Sequence, residues 1–162
     1  MRIKFHFFIF FLSLSVMGLS AQTKIYLGEE SSVSRTVLYT VADNKVHQGN
    51  GTSLANKVMY TIDDNKIRLG DGNLLSNKIV YSFENNKVKQ GEGKYFSDPV
   101  LYTIEGNKIY QGDRTNISNK VLYTIDGNKI RQGDGTKLSN TVLYTIEGEL
   151  PLSTLVLILS LL

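Results

Sequence analysis

Tyr39, Tyr60, Tyr81, Tyr102, Tyr123 and Tyr144 recur every 21 residues without a slip. Six phenols at one repeat position suit a sugar or a choline group, because the ring face stacks or attracts cations while the hydroxyl hydrogen-bonds. Within "VLYTI" the tyrosine alternates with Val and Ile on one strand face, so a core role is the expectation. A second series, Tyr26, His47, Arg68, Lys89, Tyr110 and Arg131, falls on the opposite face and defines a candidate surface binding rim. Its basic and aromatic side chains suit an acidic glycan or a protein partner. The plainer reading is a solvated sheet surface kept soluble by charge.

Asp71, Glu92, Asp113 and Asp134 each follow a repeated glycine, and "GDG" at residues 70–72 and 133–135 raises calcium as a ligand. Calcium needs six to eight oxygens converging on one point, and neither a nine-residue β-roll motif nor an EF-hand loop is present. Turn formation accounts for these acids more simply, and no metal or cofactor is expected. Candidates for catalysis are as thin. Beyond the first 21 residues the chain has one histidine, His47, whose equivalents are Arg, Lys or Tyr. No cysteine, nucleophile elbow or phosphate-binding loop occurs. Asp63 and Asp64 lie together in a segment of turn formers rather than in a concave site. The matches to glycosylation sequons at Asn50 and Asn116 matter only in a host that glycosylates. A non-enzymatic protein is the expectation.

These residues must be positioned by very few elements, since 162 residues is about one domain. The opening "MRIKFHFFIFFLSLSVMGLSAQ" sets Arg2 and Lys4 before an apolar run that ends in small residues. That pattern reads as a secretory signal peptide over 1–21, cut near Ala21, with an uncleaved membrane anchor as the alternative. Export places the chain in the periplasm, on the outer surface or outside the cell. The whole chain carries 18 basic and 15 acidic side chains, and losing Arg2 and Lys4 leaves 16 against 15. Such balance argues against nucleic acid as a partner, whose binding needs a clear basic excess. Without cysteine, an exported chain of this size needs a sizeable closed core in place of disulfides.

The repeat domain is read over 22–148. In each unit a β-branched and aromatic run such as "VLYTI" meets an Asp/Gly/Asn-rich turn and then "KIRQG", which is the pattern of a β-hairpin. A turn at Gly106-Asn107 sets Glu105 opposite Lys108 and Ile104 opposite Ile109, and the same register pairs Asp63 with Lys66, Glu84 with Lys87 and Asp126 with Lys129. Alternation puts Val100, Tyr102, Ile104, Ile109 and Gln111 on the expected core face, and Leu101, Thr103, Lys108 and Tyr110 outside. The glycine after the second strand is expected to mark a backbone position where a side chain would clash, such as a bulge or a close approach. Val33, Leu54, Leu75, Phe96, Ile117 and Leu138 are expected to anchor the connectors.

Each end of the domain carries half a unit. "KIYLG" from Lys24 is a second half, and "VLYTIEG" from Val142 is a first half. Joined, they make a sixth hairpin and close a ring near Ile25 and Tyr144, which removes the exposed strand edges. The tail over 149–162 has no charge from Leu150 onward, and Pro151 suits the first turn of a helix. At 1.5 Å per residue a helix from Leu150 to Leu162 spans ~20 Å, short of the ~30 Å of a bilayer core. Twelve strands at ~4.8 Å spacing enclose a circle about 9 Å in radius, wide enough to hold a helix at its centre. A central plug is the expectation, with a membrane-touching tail or an extra strand as alternatives.

Short hairpin repeats with Asp/Gly/Asn turns, and a charge-free segment straight after the last "TIEG", resemble the β-flower proteins of bacteria. The resemblance covers Lys24 to Leu162. It implies small secreted proteins whose hairpins form petals around a C-terminal helix, four or five in the families so named and six here. Repeats of the "LYTIDGN" and "RQGD" kind also resemble those of bacterial chains labelled fibronectin-binding, which implies adhesion and no particular residue. The combined expectation is an all-β closed ring of six 21-residue hairpins plugged by a C-terminal helix, serving as a binding or structural module at the cell envelope or exterior. An adhesin for fibronectin or glycan, and a membrane-interacting protein acting through Leu150 to Leu162, are the alternatives.

Overall fold

The computed structural model describes residues 22–29, 36–51, 57–72, 77–95, 97–114, 120–135 and 141–162. The signal segment and all six connector anchors, Val33 to Leu138, lie outside the described residues.

Twelve strands form a closed antiparallel barrel. They are β1 (Thr23–Leu27), β2 (Val37–Ala42), β3 (Lys45–Gln48), β4 (Val58–Asp63), β5 (Lys66–Leu69), β6 (Ile79–Glu84), β7 (Lys87–Gln90), β8 (Val100–Glu105), β9 (Lys108–Gln111), β10 (Val121–Asp126), β11 (Lys129–Gln132) and β12 (Val142–Glu147). One helix, α1 (Leu152–Leu159), follows. Every strand pairs with its neighbours in sequence, and β1 pairs with β12 through Ile25 opposite Ile146 and Leu27 opposite Tyr144. The two half units therefore do complete a sixth petal and seal the ring.

Local chemistry explains the hairpins. Asp43-Asn44 and Asn85-Asn86 hold both turn residues at positive φ, the backbone of the tight turn whose twist matches paired strands. Asn and Asp tolerate this region because their short polar side chains bond locally. The register is the expected one, with Glu105 opposite Lys108 and Ile104 opposite Ile109. The turn also ties petals together. The carbonyls of Asn44, Asn65, Asn86, Asn107 and Asn128 accept the N–H of the residue at the Ile62 position in the next petal, at 2.7–2.8 Å.

Inside the ring the paired residues Val41 and Val46, Ile62 and Ile67, Ile104 and Ile109 and their equivalents form one cluster with Leu155 to Leu159 of α1. The helix starts where Leu150 and Leu155 line a recess with the turn residues Gly127 and Asn128, and it runs inward from there. Val156, Leu157 and Ile158 are fully buried. A helix apolar on every side is stable only when surrounded, and the barrel surrounds it. The extra-strand alternative is excluded, and α1 begins one residue after Pro151, which takes the capping position.

Three sequence expectations need correction. Gln111 shares the inner face with Tyr102 yet is exposed, because that layer lies at the open end of the barrel, away from the hairpin turns. Thr103, expected outside, is buried, as are Thr40, Thr124 and Thr145. The glycine that ends the hairpin meets no clash at Gly28, Gly49 or Gly91, where the space is open and φ near +75° is what selects glycine. The close approach comes two residues later, where a side-chain carbon on Gly72 or Gly135 would sit 2.7 Å from Thr61 or Thr124.

Removing residues 150–162 should abolish the cooperative thermal transition seen by circular dichroism. Leu157→Ala, which empties space inside a complete ring, should lower unfolding stability by about 2–5 kcal/mol in a denaturant titration.

Candidate functional site

Three repeated constellations stand out, and each begins from one strand position. The first is a bracket on the outer wall. Thr40, Thr61, Thr103, Thr124 and Thr145 each donate a side-chain hydrogen bond at 2.7–2.8 Å to the carbonyl of a strand-ending glycine, respectively Gly49, Gly70, Gly112, Gly133 and Gly28. Thr40 also accepts from the Gly51 amide at 2.9 Å. This bracket holds the strand-ending glycine against the wall and helps to bury Thr40, Thr103, Thr124 and Thr145, while Thr61 is half-buried. The third position of the series is Ser82, whose Oγ is the one buried side-chain oxygen without a partner among the described residues. It lies against Gly93 instead of reaching the carbonyl.

The second constellation contains the expected rim. The structure brings Tyr26, His47, Arg68, Lys89, Tyr110 and Arg131 to one level of the outer wall, but not to a free surface. Tyr26 and His47 are only 8% exposed, and the side chains of Arg68, Lys89 and Arg131 are 19% exposed. Acids at the hairpin turns engage most of them. Arg68 reaches Asp63 at 2.9 Å, Arg131 reaches Asp126 at 2.8 Å, Lys89 approaches Glu84 at 3.7 Å, and the Tyr26 hydroxyl donates to Glu147 at 2.7 Å. In the petal with Tyr110 the cation moves to the connector: Arg114 stacks on the Tyr110 ring, 3.7 Å from its centroid, and pairs with Glu105. The acids therefore bond diagonally to the rim rather than straight across to the ladder lysines. Two of those lysines turn to the next petal, Lys87 to Asp113 and Lys129 to Glu29 at 3.1 Å. Exposed pairs of this kind are worth ~0.2–1 kcal/mol each, so their role is to brace neighbouring petals.

This bracing also accounts for part of the acid series that raised calcium. Asp113 holds Lys87, and Glu92 holds Lys94 at 2.5 Å, which lowers the Glu92 pKa. No group of three or more potential metal-binding side chains occurs among the described residues. Asp63 and Asp64 sit at a hairpin end, as turn formers. Asn116 lies outside the described residues.

The third constellation is the ring of tyrosines. In every petal the tyrosine sits directly opposite Gln or Leu: Tyr39 and Gln48, Tyr60 and Leu69, Tyr81 and Gln90, Tyr102 and Gln111, Tyr123 and Gln132, Tyr144 and Leu27. The tyrosine rings are half-buried and pack on the core, which is the expected core role in part. Their hydroxyl ends belong to the open end of the barrel. Burial raises the pKa of Tyr102, and Tyr123, Tyr81 and Tyr144 raise it further. Burial likewise raises Tyr39 and Tyr144, with added repulsion from Tyr60 on the first and from Tyr123 and Tyr39 on the second. Burial and the neighbouring phenols thus favour the neutral, hydrogen-donating form at Tyr39, Tyr102 and Tyr144. Sequence reasoning weighed the tyrosines alone and missed the site. The signal was the glutamine opposite, a residue type seldom buried, which marks an open end rather than a core layer.

A closed twelve-stranded ring of hairpins around a short C-terminal helix defines the class. The chain belongs to the 6-fold beta flower protein family, whose model matches residues 13–99 and 73–153, two overlapping stretches that together cover most of the chain. The count of six petals is thus the family's own. No curated protein and no solved structure matches the chain.

Two measurements test this arrangement. Ser82→Thr should restore the missing bracket to Gly91 and raise stability by about 0.5–1.5 kcal/mol. Raised tyrosine pKa values mean that the folded protein holds phenol protons more tightly than the unfolded chain, so stability should fall as pH rises above 10. Melting curves from pH 9 upward should show that loss, and Tyr102→Phe should reduce it.

Proposed function

We propose that the protein is an exported, non-enzymatic binding module that works at the bacterial cell envelope or outside the cell. The observation that carries this reading is the tyrosine–glutamine mouth, a repeated neutral hydrogen-bonding surface on a scaffold with no open strand edge. Closure without disulfides supports life outside the cytoplasm, since edge-to-edge pairing is the main hazard for a β protein there. The signal-like segment before Gln22 supports export. Repetition supports weak contacts made several times over, which gain strength from multiplicity.

Within this reading adhesion is preferred to membrane insertion. The centre of the apolar tail, Leu155 to Leu159, packs inside the ring, and no described helix is long and apolar enough to cross a membrane. The outer-wall rim at Arg68 and Arg131 is braced by acids, so the mouth is the better candidate for contact.

Expression of the whole chain with a C-terminal tag, followed by cell fractionation and N-terminal sequencing, tests export. The expected product begins at Gln22 and appears in the periplasm, on the surface or in the medium. A full-length product confined to the cytoplasm would reject the reading. On the same material, liposome flotation should leave the folded protein at the bottom of the gradient. Flotation that disappears when residues 150–162 are removed would favour the membrane instead.

A further inference from the structure

We propose that the recess on the outer wall between the β4–β5 petal and the β6–β7 petal binds one neutral sugar unit, held by the Ser82 hydroxyl and the Lys66 ammonium. The site lies apart from the tyrosine–glutamine mouth, and the proposal does not rest on that reading.

The argument begins with two breaks in the repeat that meet in one place. Ser82 stands where every other petal has threonine. Lys94 stands where the others have the uncharged residues Ser31, Thr52, Asn73, Thr115 and Thr136. Both line a single recess of about 310 Å³, together with Asn65, Lys66, Glu92 and Gly93.

Each break leaves a polar group without its usual partner. Ser82 is 4% exposed, and its hydroxyl bonds nothing among the described residues. A buried hydroxyl in that state is destabilising until something hydrogen-bonds to it. Gly93 keeps the space beside it clear, since a side-chain carbon there would sit 2.4 Å from the Ser82 Oγ. Lys66 lies directly opposite Ser82 across the strand pair. At the equivalent position Lys87 and Lys129 are held by Asp113 and Glu29 of the next petal. The matching acid here, Glu92, turns to Lys94 instead, so Lys66 has no ion pair among the described residues. The recess on the other side of the same petal is spanned by the Lys87–Asp113 pair, so its cation is already taken.

The charges decide what class of ligand fits. The lining holds two cations, Lys66 and Lys94, and two acids, Glu84 and Glu92. Just outside it, Lys89 is held by the Gly93 carbonyl at 3.2 Å and by Glu84 at 3.7 Å. A ligand carboxylate brought to Lys66 would therefore face Glu84 and Glu92, and a ligand amine would face Lys66 and Lys94. Hydroxyl groups meet neither penalty. The serine hydroxyl and the Asn65 amide donate and accept, the ammonium donates, and the carboxylates accept. A sugar ring carries several hydroxyls that do both at fixed spacing. The volume lies at the lower end of ligand pockets, ~300–1,000 Å³, which suits one ring rather than a chain.

The test is an NMR titration of the full folded chain with glucose, galactose, mannose and N-acetylglucosamine, with galacturonate and galactosamine as charged comparisons. At least one neutral sugar should shift the amide signals of Lys66, Ser82 and Gly93, with an affinity indifferent to salt. Neither charged sugar should bind more tightly than the best neutral one. Ser82→Ala removes the unpartnered oxygen, should leave the melting temperature no lower, and should weaken binding about tenfold. Ser82→Thr draws the hydroxyl to the Gly91 carbonyl, so it should weaken binding likewise while raising stability. Lys66→Met should also cost about tenfold in affinity. Lys120→Ala, at the far end of the barrel, should change nothing. Silence with all four neutral sugars, shifts centred on the mouth, binding that survives Ser82→Ala, or a preference for galacturonate or galactosamine would each overturn the proposal.

Discussion

The structure depends on one burial: a helix without a charge, apolar on every side, standing inside a ring of strands. Such a helix has no stable place in water, and a ring of this girth without it would enclose a void. Each half therefore requires the other. This explains why a chain without cysteine manages at this size, because the core is a closed cylinder filled by Val156, Leu157 and Ile158. It also explains the isoleucine or valine at nearly every inner position beside the turns, since β-branched side chains fill a pleated wall and meet the helix at a fixed depth.

Given that burial, the repeat must solve a second problem, which is to bring the chain from one petal to the next without loose backbone. The solution uses a small hydroxyl, two glycines and a turn acid. Threonine ties the strand-ending glycine, a second glycine clears the space above it, and the acid grips a cation on the outer wall. Variation respects this grammar. Where the wall position is Tyr110, the cation reappears at Arg114, which takes the place of the second glycine and still reaches Glu105. Where it is Tyr26, the hydroxyl itself binds Glu147. The petal with His47 has Ala42 where the other petals carry the acid. Ser82 keeps the hydroxyl but not the bond. Without the threonine methyl, a serine oxygen has a wider choice of rotamers.

Most of the fold was legible before the structure. The unbroken 21-residue period, the complementary half units and the charge-free tail determine the number of petals, the closing pair and the plug. The side-chain roles were less legible, for a physical reason. Alternation along a strand tells which residues share a face, but not how far each lies from the ends of the barrel. Tyr102 and Ile104 share a face, yet one lies at the mouth and the other deep inside. Alternation likewise could not show that the strand-ending glycine folds back to bond Thr103, or that Tyr26 is buried. The rim read from Tyr26, His47, Arg68, Lys89, Tyr110 and Arg131 was a true repeat position misjudged in exposure.

A ring built from one repeated hairpin has two unlike ends, and the difference follows from strand direction alone. Every turn falls at one end, where left-handed backbone demands Asp, Asn and Gly, and where acids come with the turns. Every connector leaves from the other, where glycine at positive φ and the threonine bracket turn the chain outward while the inner face keeps no turn role. Residues at the turn end are therefore largely committed to folding. At the open end the inner face is released from the core by its position, and side chains there need only tolerate their neighbours. Tyrosine with glutamine suits that freedom, and the two leucines show that the position is not bound to one chemistry. Selection for contact can act at this end with little effect on the barrel, which is why the mouth, rather than the braced wall, is the part of this fold best placed to differ in what it binds.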